Sequence, residues 1–240
     1  MALGKPDPRF TQSRRAQSNF LLAAKISLVF IGILWTILVL DTVFGLRLGR
    51  FGLRPGSVPG LIGVITAPLL HGGFAHLLSN TLPLFISMTA TLYLYPNSAV
   101  RVIPGIWLGS GALAWLIGRD SLHYGASGII YGMLAYVFLG GILRRDMRSI
   151  SVSLLVGFLY GSMIWGVLPI RPHMSWEMHL TGAVMGVLLA FVFRNWDRIP
   201  LVRYDWEEDD SVPEWYPESH DKDFDLPGRS RPKPPPRLDQ

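Results

Sequence analysis

The chain has 240 residues, of which 50% are hydrophobic and only 16% are charged, with 8 Trp and no Cys. The charged share is well below the roughly 25% usual in soluble domains, which argues against a soluble globular protein. The absence of Cys excludes disulfides, Cys-based metal sites and a Cys nucleophile, and the net charge of +5 leaves an acidic partner to be considered.

Six segments with few or no charges follow one another along the chain. The first is too long and begins too far from the N-terminus for a secretory signal, so we expect it to remain as a helix. About 20 apolar residues span roughly 30 Å of hydrocarbon, and these segments lack the alternation of barrel strands. We therefore predict an all-α membrane protein with six transmembrane helices. The segments are 26–46, 74–95, 102–118, 126–143, 149–168 and 176–193.

The Lys and Arg residues indicate how these helices cross the membrane. With both termini in the cytoplasm, twelve of the Lys and Arg in residues 1–203 lie inside and five lie outside, as the positive-inside rule favours. This distribution explains the basic balance without a nucleic-acid partner. The Arg144–Arg145 pair is predicted to mark the inner surface. Residues 127–143 rise roughly 25 Å, which places Ser127 below the outer surface, in reach of water only through a cavity.

The C-terminal residues have a different composition. An acidic cluster at 205–210 precedes the Pro- and Arg-rich end RSRPKPPPRLDQ. Because so few apolar residues cannot bury a core, we predict a disordered cytoplasmic tail; a docking site for another protein is the alternative. The predicted organisation is a cytoplasmic segment at 1–20, a six-helix domain at 21–195 and the tail at 196–240.

Polar side chains inside a membrane are costly and point to function. In the predicted topology, His76 and Asn80 on the second segment lie near its outer end, and they share a helix face because they are four residues apart. Ser127 on the fourth segment and His179 on the sixth lie near the outer ends of their helices too. Side chains from three helices are therefore predicted at one depth.

Small residues on the sixth segment favour close helix packing. Gly182 and Gly186 lie on roughly the same face as His179 and would let another helix approach. If that helix is the fourth, His179 comes within hydrogen-bond reach of Ser127. Tyr131, one turn after the serine, would then pack its ring on the imidazole.

This set of residues is suited to nucleophilic catalysis. His179 would take the proton of the Ser127 hydroxyl and later protonate a leaving amine. The oxyanion would be stabilised by Asn80, His76 and the backbone N–H of Ser127 at the positive end of its helix. The glycines beside the serine would let the backbone bend and approach a substrate. These glycines are Gly125 and Gly128.

Other interpretations apply to each residue taken alone. A membrane serine commonly bonds back to a carbonyl one turn earlier, Asn80 could join helices, and paired glycines are usually simple packing. Asp41 and Glu177 do not fit a third catalytic member, so a dyad is predicted. A metal site lacks a carboxylate at ligand spacing; its histidines would be His71, His76, His123 and His179. No role is predicted for the loop or tail histidines, which are His123, His173 and His220.

Three motifs resemble those of the rhomboid family of intramembrane serine proteases. They are HGGFAHLLSN at 71–80, GASGIIY at 125–131 and HLTGAVMG at 179–186. The resemblance covers about residues 20–195 and implies a six-helix rhomboid-like bundle. It also implies a Ser127–His179 dyad with an oxyanion site from His76, Asn80 and the Ser127 backbone, and no metal or other cofactor. The implied reaction is cleavage of other membrane proteins in or near their transmembrane helices, with lateral substrate entry beside the fifth helix.

One departure concerns the long first loop, residues 46–70. Many family members carry a Trp-Arg pair there, whereas this loop has arginines but no Trp, so its anchoring is not predicted. The alternative functions are a catalytically silent rhomboid-like chaperone or adaptor that binds transmembrane helices, and a channel or transporter, which would show more ionisable intramembrane residues and repeated halves. Six helices with short loops suggest a bacterial cytoplasmic membrane, with an organelle membrane as the alternative.

Overall fold

The structure is a computed structural model that describes residues 14–144, 147–170 and 174–197. The predictions for most of the N-terminal segment and for the tail after residue 197 lie outside these residues. The described helices are α1 Arg14–Phe44, α2 Gly63–Thr66, α3 Phe74–Leu94, α4 Pro96–Ile117, α5 Ser127–Arg144, α6 Met147–Tyr160 and α7 Trp176–Val192. Short 3₁₀ helices cover Leu48–Phe51, Pro59–Ile62, Ala67–Leu69 and Gly161–Val167.

Five helical stretches are long and apolar enough to cross a bilayer. They are Gln17–Phe44, Phe74–Leu94, Pro96–Ile117, Ser127–Arg144 and Ser149–Val167. Helix α7 is apolar too but has only 17 residues, which rise about 25 Å. No strand occurs within the three described ranges. The predicted all-helical architecture is therefore confirmed for them, while the sixth predicted span is a helix shorter than the hydrocarbon core.

Helix bounds differ from the apolar segments in two ways. Helix α1 begins at Arg14 rather than at residue 26, and α4 begins at Pro96 rather than at 102, because helical hydrogen bonding continues beyond the apolar segment. Proline suits the first turn of α4, where its missing N–H has no partner to lose. The fifth segment is only partly α-helical, because α6 ends at Tyr160 and a 3₁₀ helix follows.

Helix α5 lies at the centre of the bundle and packs against α3, α4, α6 and α7. Its contact with α7 is unusually close. A Cβ at Gly182 would meet the backbone carbonyl oxygen of Gly128, and a Cβ at Gly186 would meet that of Gly132. The two small-residue pairs therefore fix the register between the helix that carries Ser127 and the helix that carries His179.

Replacement of Gly182 by Ala is expected to destabilise the protein. The new methyl group would collide with backbone rather than with a flexible side chain, so the helices must separate. Overpacking of this kind costs about 1–3 kcal/mol, which lowers the midpoint of thermal unfolding by about 2–12 °C for a chain of this size. The matched control is Gly32→Ala on α1, where a Cβ has no neighbour within 4 Å. An equal effect at both positions would contradict the close α5–α7 packing.

The long first loop is anchored by tryptophans of α4. Trp115 Nε1 donates to the carbonyl of Ser57 at 2.8 Å, and Trp107 Nε1 donates to the carbonyl of Ile65 at 3.0 Å. These bonds hold two separate parts of the loop from one helix. The absence of Trp from the loop itself is thus compensated by indole donors outside it.

The Arg144 side chain, at the C-terminal end of α5, is buried. Its Nε donates to the carbonyl of Trp196 at 2.9 Å, and Nη2 donates to the carbonyl of Phe193 and to the Tyr136 hydroxyl, each at 3.0 Å. The guanidinium carbon lies 4.1 Å from the centroid of the Tyr95 ring. A cation suits this position because the carbonyls at the end of α7 lack helical partners.

Asp197 joins the same end of the bundle to the start of α4. Its carboxylate accepts hydrogen bonds from the backbone N–H groups of Asn97 and Ser98, at 2.9 and 3.0 Å, and from the Ser98 hydroxyl at 2.7 Å. These N–H groups belong to the first turn of α4 and need an acceptor. Asp197 therefore caps α4 from a residue a hundred positions away in the chain.

Candidate active site

Ser127 and His179 face each other at the ends of two helices. Ser127 is the first residue of α5, and His179 lies in the first turn of α7. The Ser127 Oγ is 2.8 Å from His179 Nε2. The register that the glycine pairs fix between α5 and α7 brings these two side chains together.

A backbone carbonyl determines which nitrogen of His179 carries the proton. His179 Nδ1 lies 2.9 Å from the carbonyl oxygen of Gly166, in the 3₁₀ helix after α6. A carbonyl can only accept, so Nδ1 must be the protonated nitrogen. Nε2 is then free to accept the hydroxyl proton of Ser127. This is the tautomer that a general base for Ser127 requires.

The ring of Tyr131 supports the imidazole from one side. The Tyr131 and His179 rings are stacked, with centroids 4.2 Å apart and planes at 6°. The Tyr131 hydroxyl donates to the carbonyl of Met163 at 2.8 Å. A Cβ at Gly166 would meet this hydroxyl and would lie 3.3 Å from His179 Nδ1. The absence of a side chain at Gly166 lets the 3₁₀ helix pack directly against both rings.

Two hydrogen-bond donors of α3 converge beside the serine. Gly125 has φ +125°, which disfavours other residues, and a Cβ there would lie 3.0 Å from His76 Nε2 and 3.9 Å from Asn80 Nδ2. Asn80 is buried, and its Nδ2 has no hydrogen-bond partner among the residues that the structure describes. Buried polar groups are nearly always paired, so such a donor calls for an explanation. An oxyanion formed at Ser127 would supply the acceptor.

The loop before α5 is held by the long first loop. Leu53 and His123 exchange two backbone hydrogen bonds of 2.8 Å each, and the N–H of Gly125 donates to the carbonyl of Ala67 at 2.9 Å. The N–H of Ala126 donates to Nε2 of the buried His71 at 3.3 Å. Burial, with a smaller contribution from the nearby His76, lowers the pKa of His71 to about 4, so His71 is neutral at pH 7 and can accept this bond.

The dyad opens into a cavity of about 980 Å³. One side is formed by α3 and α5, including Asn80, Ser127 and Tyr131, and the other by the end of α6 and the residues after it, including Leu159 and Tyr160. A cavity of this volume has room for water and for a bound group of ligand size. It therefore gives access to a hydroxyl that is itself half-buried.

The structure brings together Ser127, His179, His76, Asn80, Tyr131 and Gly125, and it places Gly128, Gly182 and Gly186 in the close contact between α5 and α7. Close packing is the role that the sequence predicts for Gly182 and Gly186. Two features were not predicted: the Gly166 carbonyl on His179, and the burial of Glu177, which pairs with Arg119. His123, for which no role was predicted, is fully buried. In residues 14–144, 147–170 and 174–197, no three His, Asp or Glu side chains are grouped closely enough to hold a metal ion.

Comparison with known proteins identifies relatives along most of the chain. The Rhomboid domain family matches residues 59–196. An uncharacterized protein of Mycobacterium bovis is 34% identical over 198 residues, which is 79% of this chain and 82% of that protein. A Bacillus subtilis protein whose name assigns it provisionally to the rhomboid proteases is 31% identical over 140 residues, 54% of this chain and 65% of its own. The RHOMBOID-like protein 1 of Arabidopsis thaliana is 27% identical over 133 residues, which is 54% of this chain and 34% of that protein.

Proposed function

Because the chain belongs to the rhomboid family, we propose that it is an intramembrane serine endopeptidase that cleaves transmembrane segments of other membrane proteins. The observation that carries the proposal is the 2.8 Å approach of Ser127 Oγ to His179 Nε2, with Nδ1 committed to a carbonyl. Several long apolar helices support a multi-pass membrane protein, so its substrates are membrane proteins that share its bilayer.

The reaction follows the chemistry of a serine–histidine dyad. Ser127 Oγ attacks the scissile carbonyl carbon while its proton passes to His179 Nε2. The oxyanion accepts hydrogen bonds from Asn80, His76 and the Ser127 backbone N–H. The C–N bond then breaks as His179 returns the proton to the leaving amine, which leaves an acyl-enzyme. Water attacks the ester with the same two proton transfers and frees the new carboxyl end and the Ser127 hydroxyl.

His179 needs no carboxylate partner in this scheme. The Gly166 carbonyl holds the tautomer, and the stacked Tyr131 ring holds the plane of the imidazole. These two contacts perform the orienting role that Asp performs in a triad. The imidazolium formed during the reaction is stabilised by the carbonyl dipole and by the face of the tyrosine ring.

Substrate entry is proposed beside α6. The outward face of this helix is apolar and exposed, with Phe158 86% exposed, as expected for a surface in contact with lipid or with a transmembrane helix. Leu159 and Tyr160 at the end of the same helix line the cavity. A helix arriving from the bilayer would therefore meet α6 and the Gly161–Val167 3₁₀ helix before it meets Ser127.

We further propose the topology and organisation that the sequence predicts. Helix α7 would be the sixth span, both termini would be cytoplasmic, and the cavity would open to the outer face of a bacterial cytoplasmic membrane. The sequence predicts a peptidase domain at 21–195 between a short segment at 1–20 and a disordered tail at 196–240; because Trp196 and Asp197 bond to α5 and α4, we place the end of the domain after Asp197. The excess of Lys and Arg in the segments assigned to the inside supports this orientation.

The test is cleavage of single-span substrates in proteoliposomes that contain the purified protein. We expect new termini within or a few residues outside the substrate's transmembrane segment, identified by mass spectrometry, with no loss of activity in EDTA. If no substrate of a broad panel is cut and a serine-directed fluorophosphonate does not label the protein, the adaptor function replaces the peptidase.

Replacement of Asn80 by Ala is expected to lower the turnover number about 10²-fold or less, because Asn80 is one of several oxyanion donors. The Michaelis constant should change little, since the lost hydrogen bond forms chiefly in the transition state. The measurement is the initial rate of cleavage at several substrate concentrations. An unchanged turnover number would remove Asn80 from the oxyanion site.

A further inference from the structure

A carboxylate is buried next to the dyad without a role in the reaction described above. Glu177, in the first turn of α7, is 1% exposed, and both carboxylate oxygens lack a hydrogen-bond partner among the described residues. Arg119 Nε lies 3.1 Å from one of them as an ion pair. Withdrawing a carboxylate from water costs several kcal/mol, and one cation repays this only in part. A well-packed neutral side chain would serve stability equally well.

Arg119 connects the two chain segments that carry the dyad. It lies just after α4, on the loop that leads to Ser127, and its side chain is 41% exposed. Its Nη2 donates to the carbonyl of Met174 at 2.7 Å, just before α7. The ion pair with Glu177 therefore ties the start of α7 to the loop before α5, on the same side of the bundle as the cavity.

His123 is a further ionisable neighbour of Glu177. Burial lowers the pKa of His123 below its ordinary value, although Glu177 acts in the opposite direction. His123 Nε2 is instead bonded within its own loop, 3.0 Å from Ser121 Oγ. Among the described residues, Arg119 is thus the cation that balances the Glu177 charge.

Glu177 and His179 lie two residues apart in the first turn of α7, and both side chains are buried, so the carboxylate acts on the imidazole through protein rather than through water. No hydrogen bond joins them, so any influence is electrostatic. The other groups that face His179 are Ser127 and Tyr131 on α5, the Gly166 carbonyl and His76 on α3. Among the residues that the structure describes, Glu177 is the carboxylate that bears on His179, and Arg119 is its partner.

We propose that Arg119 and Glu177 are positioning residues whose paired charges set the proton affinity of His179. The carboxylate favours the imidazolium that forms when His179 takes the serine proton, and the guanidinium limits this effect. The inference rests on the proposed function, since it concerns the base of that reaction. Neither residue touches substrate; both act through His179.

The test is the rate at which a small fluorophosphonate labels Ser127, measured from pH 5 to pH 9. In this reaction Ser127 Oγ bonds to phosphorus, fluoride leaves and the proton goes to His179, so the rate falls in acid as His179 becomes protonated. Glu177→Gln leaves an unpaired guanidinium that opposes the imidazolium, and we expect the acid midpoint to move about 0.5 pH unit or more to lower pH. Arg119→Gln added to Glu177→Gln removes that guanidinium and should return the midpoint at least halfway.

The matched control is Asp120→Asn. Asp120 is adjacent to Arg119 but is 73% exposed and paired with Arg54, which is 59% exposed. Solvent screens such a charge, so the midpoint should move by less than about 0.1 pH unit. If Glu177→Gln cannot be purified, Glu177→Met carries the same expectation because it also removes the charge and keeps the length.

Each outcome separates this inference from the proposed function. A midpoint that stays in place in Glu177→Gln, or that moves equally in Asp120→Asn, overturns the inference while the peptidase proposal stands. A change in labelling rate or thermal stability without a change of midpoint means a purely structural ion pair and also overturns it. Absence of labelling in the wild type removes both proposals together.

Discussion

Ser127→Ala is expected to yield a folded membrane protein that no longer cleaves substrate. The substitution removes only one oxygen, at a half-buried position where Ala fits the start of α5. The remaining oxyanion donors have no nucleophile to assist, so the cleavage rate should fall at least about 10⁴-fold. The measurement is the initial rate of cleavage in proteoliposomes, with circular dichroism and the midpoint of thermal unfolding to establish folding.

The matched control for this result is Ser79→Ala. The Ser79 hydroxyl lines the same cavity but donates to the carbonyl of His76 at 2.8 Å, so it has no base that could activate it. This variant should keep most of the wild-type rate. Appreciable cleavage by Ser127→Ala, or an equal loss in Ser79→Ala, would show that the nucleophile has been assigned to the wrong serine.

His179→Ala is expected to lose both cleavage and labelling by a serine-directed fluorophosphonate. Without the imidazole, the Ser127 hydroxyl keeps a proton that water at neutral pH removes poorly. The labelling rate should fall at least about 10³-fold, which is within the range found when one member of a catalytic unit is removed. A small probe makes the result independent of how a helical substrate docks at α6.

His179→Ala also removes packing around Tyr131, so this second experiment needs a control that separates packing from catalysis. Tyr131 loses its stacking partner, so a modest fall in thermal stability is expected alongside the loss of labelling. Tyr131→Phe keeps the ring and removes only the hydroxyl that bonds to Met163; it should label at close to the wild-type rate. Wild-type labelling in His179→Ala would mean that Ser127 is activated by another group.

Spacing along a helix has a direct geometric meaning, so the parts of the site that depend on it are predictable from the sequence. Residues 76 and 80 share a face because they are four apart on a helix, and the spacing of Gly182 and Gly186 is by itself typical of a close helix contact. Membership of the rhomboid family is confirmed by the match over residues 59–196. The catalytic roles themselves remain predictions until the experiments above are done.

Contacts made by backbone groups, and contacts between residues far apart in the chain, could not be predicted from the sequence. The acceptor for His179 Nδ1 is the carbonyl of Gly166, and a carbonyl leaves no signature because every residue has one. A single glycine between Trp165 and Val167 is too common a pattern to predict that its carbonyl binds a histidine. The burial of Arg144 was not predictable for a related reason: hydropathy locates an arginine near the end of a span but does not reveal the aromatic rings and helix-end carbonyls that enclose it.

The contacts of Trp196 and Asp197 have a practical consequence for shortened chains. A chain that stops at residue 195 would lose the carbonyl that binds the Arg144 side chain and the carboxylate that caps the first turn of α4. Helix α4 would then lose the cap of its first turn, and the Arg144 side chain would lose one of its three acceptors, at the opposite end of α5 from Ser127. The smallest autonomous unit should therefore be drawn after Asp197, and tags or fusions belong beyond that point.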